Sequence, residues 1–157
     1  MSALPADVVR LSHYLQPGQL YVSRTPVVLT TILGSCISVC LWDDREGVGG
    51  MNHFMLPHYA GSGVQSARFG NVAMQELLDK IVDAGGRKRF LRARVFGGAC
   101  MFQQMKSAAH LGSKNAELAL DFLSRHGIEV VQIDVGGDHG RKIRFNTDEG
   151  TVCLSSI

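Results

Sequence analysis

Residues 36–55 read Cys36-Ile37-Ser38-Val39-Cys40-Leu41-Trp42-Asp43-Asp44-Arg45-Glu46-Gly47-Val48-Gly49-Gly50-Met51-Asn52-His53-Phe54-Met55. Two apolar runs, Cys36 to Trp42 and Val48 to Met55, flank one polar turn. That pattern predicts a β-hairpin, with Asp43 to Gly47 at its tip. Upstream, Val27 to Thr31 is rich in β-branched residues and predicts a further strand. Downstream, Phe69, Val72, Ala73, Leu77, Ile81 and Val82 recur mostly three or four apart and predict a helix with one apolar stripe. Gly85-Gly86 ends it as a left-handed cap. Arg92 to Phe96 is strand-like, and a second helix is expected from about Lys114 to His126, with Leu118, Phe122 and Leu123 inward and Gly127 as its stop. Ile128 to Val135, Lys142 to Asn146 and Thr151 to Leu154 read as an antiparallel meander. Strands outnumber helices, so the expected fold is α+β, a layered structure with a mainly antiparallel sheet core and packed helices.

The 157 residues suit one domain spanning 1–157, and no linker or repeat divides them. Apolar residues make up 45% and charged residues 19%, a globular rather than a disordered composition. A net charge of +2 gives no ground for nucleic-acid binding. Arg87-Lys88-Arg89, Arg92 and Arg94 read as a solvated loop entering a strand. No apolar run approaches the ~18 residues of a membrane span. Met1 to Gln19 lacks the basic and apolar segments of an export signal. The expectation is a cytoplasmic chain with reduced thiols and no membrane insertion.

Chemistry concentrates around Thr30-Thr31-Ile32-Leu33-Gly34-Ser35-Cys36 and His53. A thiol beside an imidazole is a nucleophile with its own base. Gly34 and Ser35 before Cys36 allow a turn whose backbone N–H groups face a developing oxyanion. A third group would orient the imidazole through its other nitrogen. Strand alternation puts only one of Thr30 and Thr31 on a given face, and the residues alone do not choose between them. The competing use of His53, among Met51, Phe54 and Met55, is a satisfied core histidine. Cys40, Cys100 and Cys153 read as small buried hydrophobes.

Cys36, Cys40, His53 and His58 also match a two-cysteine, two-histidine zinc spacing. Context argues against it. Pro57 favours an extended chain just where a finger needs a helix, and a chain with a full core does not need metal to fold. Neither a metal nor a cofactor is expected.

Several segments, taken in order, resemble the CheD family of chemoreceptor glutamine deamidases. They are Thr30 to Cys36, Asn52-His53-Phe54-Met55-Leu56-Pro57, Phe96-Gly97-Gly98-Ala99, Gly112-Ser113-Lys114-Asn115 and Asp134-Val135-Gly136-Gly137. The resemblance runs from about Tyr21 to Leu154. It implies a Cys-His-Thr triad at Cys36, His53 and Thr30, the last being the threonine six residues before the cysteine. It implies hydrolysis of glutamine side-chain amides on chemoreceptor cytoplasmic helices through a cysteine thioester. It also implies a fold like the catalytic domain of cytotoxic necrotising factor toxins, and in many relatives a CheC-type phosphatase partner. Gly34 and Ser35 are then expected at the oxyanion, and Phe96, Gly97 and Gly98 along a shallow groove for the substrate helix. The alternative reading is a non-catalytic module that docks on receptors or on the phosphatase.

Overall fold

The computed structural model describes residues 10–58, 66–100 and 106–157, the side chains of 106–110 apart. In chain order the elements are β1 (Leu11–Tyr14), β2 (Leu20–Ser23), β3 (Val27–Leu33), β4 (Ile37–Asp43), β5 (Val48–Asn52), α1 (Gly70–Asp83), β6 (Arg92–Gly97), α2 (Lys106–Arg125), β7 (Glu129–Val135), β8 (Arg141–Asn146) and β9 (Val152–Ser156). Strands β2-β5-β4-β6-β7 form one sheet and β1-β3-β8-β9 a second. The fold is α+β, with three layers: two helices, the five-stranded sheet and the four-stranded sheet.

Each expected hairpin strand forms, and β4 pairs antiparallel with β5 from Cys40↔Met51 to Asp43↔Val48. Asp43 Oδ1 accepts from the N–H groups of Arg45 and Glu46, which closes the polar turn. Both helix stops also form as expected. Gly85 has φ +104, and the N–H groups of Gly85 and Gly86 reach the carbonyls of Val82 and Ile81. Gly127, at φ +66, ends α2 the same way, with Gly127 and Ile128 donating to Ser124 and Leu123. Both are paired 5→2 and 6→1 bonds that only a left-handed residue permits cheaply.

Three expectations need correction. The second helix begins at Lys106 rather than near Lys114. The terminal strands are not one meander: β7 pairs parallel with β6, while β8 and β9 join the other sheet. A strand–helix–strand order favours this parallel crossover, because α2 carries the chain back over the sheet. Two short strands also form where none is expected, β1, which is exposed, and β2, which is mostly half-buried. The expected loop from His58 to Ser66 lies almost wholly outside the described residues.

Two apolar cores result. Ile37, Val39, Leu41 and Phe54 face the helices and meet Leu77, Ile81, Phe122 and Leu123. Cys40, Trp42, Met51 and Phe96 face the second sheet and meet Leu29, Leu33, Ile143 and Phe145. Period-two alternation on β4 feeds both cores from one strand. No helix among the described residues is long and apolar enough to cross a membrane.

Candidate active site

The space between the two sheets holds more than apolar packing. On β3, the inward positions are Val27, Leu29, Thr31 and Leu33, and Thr30 lies on the other face. Across the gap, His53 follows the end of β5 and is 2% exposed. Its backbone is pinned on both sides: its N–H donates to the Gln19 carbonyl (3.1 Å) and its carbonyl accepts from Gly18 N–H (2.8 Å).

His53 Nδ1 lies 2.8 Å from Thr31 Oγ1. The same hydroxyl donates its single proton to the Leu15 carbonyl at 2.8 Å. Thr31 Oγ1 can therefore only accept from the ring, so Nδ1 carries the imidazole proton and Nε2 presents a lone pair. Nε2 is buried and has no hydrogen-bond partner. The ring is thus held in one tautomer by Thr31; Thr30, the threonine that the resemblance implies, lies on the other face of β3.

Cys36 sits in the bend between β3 and β4, half-buried, and packs against the inter-sheet cluster on the side where His53 lies. Ile37 and Phe54 exchange backbone hydrogen bonds at 3.1 and 3.0 Å, fixing the register between the thiol segment and the histidine segment. That register carries Ser38 opposite His53 and places Cys36 diagonally from it. Cys36 Sγ makes no hydrogen bond to Nε2.

Burial sets the protonation states. It pushes the Cys36 thiol up and pulls the His53 imidazole down to about 4. No acidic group offsets either shift, so both are neutral at rest. An imidazolium–thiolate pair is therefore not the resting state.

The glycines expected along a groove have a tighter task. Gly98 N–H donates to the Cys36 carbonyl and Ala99 N–H to the Gly34 carbonyl, each at 2.9 Å. A Cβ on Gly97 would lie 2.0 Å from the Cys36 carbonyl oxygen, and the residue has φ +113. No other residue allows this approach. Arg141, paired with Asp134, donates to the carbonyls of Gly97 and Gly136 from the second sheet and holds this glycine layer in place. Phe96 is wholly buried in the inter-sheet core and lines no groove. Gly34 makes its bend without a positive φ.

Of the other cysteines, Cys40 is buried as expected, Cys100 is half-buried and Cys153 is exposed on β9. Among the described residues no three His, Cys, Asp or Glu side chains are grouped to hold a metal.

A half-buried thiol, a neutral base held in one tautomer and a backbone-pinned turn are the parts of a thiol-dependent acyl-transfer centre. The family model for CheD chemotactic sensory transduction matches residues 55–156, and the chain belongs to the CheD family. It is 46% identical over 142 residues to a probable chemoreceptor glutamine deamidase CheD of Trichlorobacter lovleyi, covering 90% of this chain and 88% of that protein. A relative from Anaeromyxobacter dehalogenans, named probable chemoreceptor glutamine deamidase CheD 1, is 46% identical over 98% of this chain and 89% of its own length. One from Rhodospirillum rubrum, named probable chemoreceptor glutamine deamidase CheD, is 40% identical over 92% of this chain and 81% of its own. The crystal structure of Neisseria meningitidis protein NMB0706 aligns at a TM-score of 0.39 and 14% identity, covering 74% of this chain and 52% of that one.

Proposed function

We propose that this chain is a protein-glutamine deamidase acting on chemoreceptor cytoplasmic helices, working in the cytoplasm with Cys36 as nucleophile. The observation that carries the mechanism is the Thr31–His53 hydrogen bond, which leaves Nε2 unprotonated and without a partner. The substrate class is that named for the relatives.

His53 Nε2 takes the Cys36 proton as sulfur attacks the carboxamide carbon. The N–H groups of Ser35 and Cys36, which donate to no backbone carbonyl among the described residues, face the oxyanion. The imidazolium then returns its proton to the departing ammonia. Water, activated by His53, hydrolyses the thioester to glutamate. Burial keeps the imidazolium short-lived, which favours proton return. Gly98, Gly112, Ser113, Ala116, Leu120 and Val135 line an open groove beside the glycine layer, a shape that suits a helix laid along α2 better than a small molecule.

The test is ammonia release with mass spectrometry from a receptor cytoplasmic fragment. Wild type should add about one mass unit at defined glutamines, and a folded Cys36→Ala variant should lose at least about 10³-fold of that rate. Equal rates would sink the nucleophile. No turnover by folded wild type would leave a docking module.

A further inference from the structure

Three successive carbonyls around the thiol are each held from outside the bend. Gly34 is held by Ala99 N–H, Cys36 by Gly98 N–H, and between them Ser35 by a side chain, Asn115 Nδ2, at 3.3 Å. The other proton of that nitrogen goes to the Met55 carbonyl at 2.9 Å, two residues past His53. Asn115 lies on α2, 80 residues from Ser35, and is fully buried. Its Oδ1 accepts nothing. A buried carboxamide with one end unsatisfied is costly, and an apolar residue would pack there without that cost. The donating end is what the site needs.

We propose that Asn115 is a positioning residue for the oxyanion. A trans peptide is planar, with its C=O and N–H pointing in opposite directions. Fixing the Ser35 carbonyl against α2 therefore fixes the direction of the Cys36 N–H, away from the helix. The segments bearing the thiol and the imidazole are already joined by the Ile37–Phe54 backbone bonds, so what Asn115 adds is its hold on the Ser35 carbonyl. A donor aimed before the reaction stabilises an oxyanion without reorganisation. This role rests on the deamidase reading above.

Asn115→Asp keeps the shape but presents only acceptors, and Asn115→Leu removes both donor and acceptor without burying a charge. Each is compared with wild type for kcat and KM on the receptor fragment, for thermal midpoint, and for the rate of Cys36 alkylation by iodoacetamide, read on the Cys36 peptide by mass spectrometry. Alkylation displaces iodide at a saturated carbon and forms no oxyanion, so it reports the thiol and its base alone. The expected result is a fall in kcat of about 10²-fold with KM and alkylation within about twofold. Should Asn115→Asp fail to fold, Asn115→Leu carries the same readouts. A kcat within twofold of wild type in a folded variant overturns the role. So does a parallel loss of alkylation, which would make Asn115 a general support of the fold. A wild type that releases no ammonia removes the underlying reaction, and is read without either variant.

Discussion

Asn52 and His53 are neighbours in sequence and face opposite sides of the same sheet. Asn52 faces the helices, and its carboxamide is used at both ends: Oδ1 accepts from Val39 N–H, and Nδ2 donates to the Ala73 carbonyl and Met74 Sδ. His53 faces the second sheet, and only its Nδ1 is engaged. Ser38 Oγ, on that same side, also lacks a partner. A buried polar group with every atom satisfied repays its own desolvation and serves the fold. One left half-satisfied in a native core needs another reason to be there, and in the proposed reaction the reason at His53 is a lone pair kept for a proton. On that proposal the contrast separates a structural amide from a catalytic imidazole.

The strongest way to break the contrast is His53→Gln. Turnover should fall by about 10³-fold, within the usual range for a lost general base. Stability should also change its dependence on pH. The folded imidazole titrates near 4 against 6.5 unfolded, so the unfolded chain binds the proton first. Native stability is complete above pH 6.5 and declines as pH falls towards 4, by about 3 kcal/mol for this group. Denaturant melts across that window should show the decline in wild type and a flatter profile in His53→Gln.

Asn52→Ala should do the reverse. It strands Val39 N–H and opens space beside Met74, at a cost of about 2–3 kcal/mol, with kcat per folded molecule nearly unchanged. A chevron or urea melt beside an active-site titration separates the two quantities. Loss of kcat without loss of stability would erase the distinction between the faces.

Thr31→Val and Thr30→Val sharpen the comparison within one strand. Thr31→Val removes the acceptor of the Nδ1 proton and should lower kcat about tenfold, the equivalent of one ordinary hydrogen bond. Thr30→Val should stay within about twofold, because a β-branched replacement on the outer face disturbs neither pairing nor site. The reverse order would restore Thr30 to the triad. Ser38→Ala has the smallest expected effect, within about 0.5 kcal/mol in stability, because it deletes a hydroxyl that bonds to nothing. A loss of turnover there would show that the Ser38 hydroxyl takes part in the proton transfer at Nε2.

How far the sequence carried these assignments depends on the range of the interaction. The β4–β5 hairpin and both glycine stops were legible because turn chemistry and helix caps are decided within a few residues. Cys36 and His53 stood out as residue types at the mouth of a turn. Thr31 did not, because both parities of Val27 to Leu33 are largely apolar, and only the packing of the second sheet on the five-stranded one decides which row is inside. The parallel β6–β7 pairing was signalled by the intervening helix but masked by the alternating pattern of β7, which is equally suited to a meander. Asn115 shares a helix face with Leu118 and Phe122, one polar residue on an apolar stripe, which is a readable sign of a buried amide. Its partners, 80 and 60 residues away, were not readable.

Thr31, Cys36 and His53 all leave the ribosome within the first third of the chain, but what holds them comes much later. Gly98 and Ala99 belong to the middle of the sequence, Asn115 to α2, and β8, the partner strand of β3, to the final fifth. Long-range contacts of this kind form late. A growing chain therefore carries its thiol and imidazole as ordinary, unaligned side chains until synthesis is nearly complete. A fragment that stops short of α2 lacks the Asn115 bonds that hold the Ser35 and Met55 carbonyls.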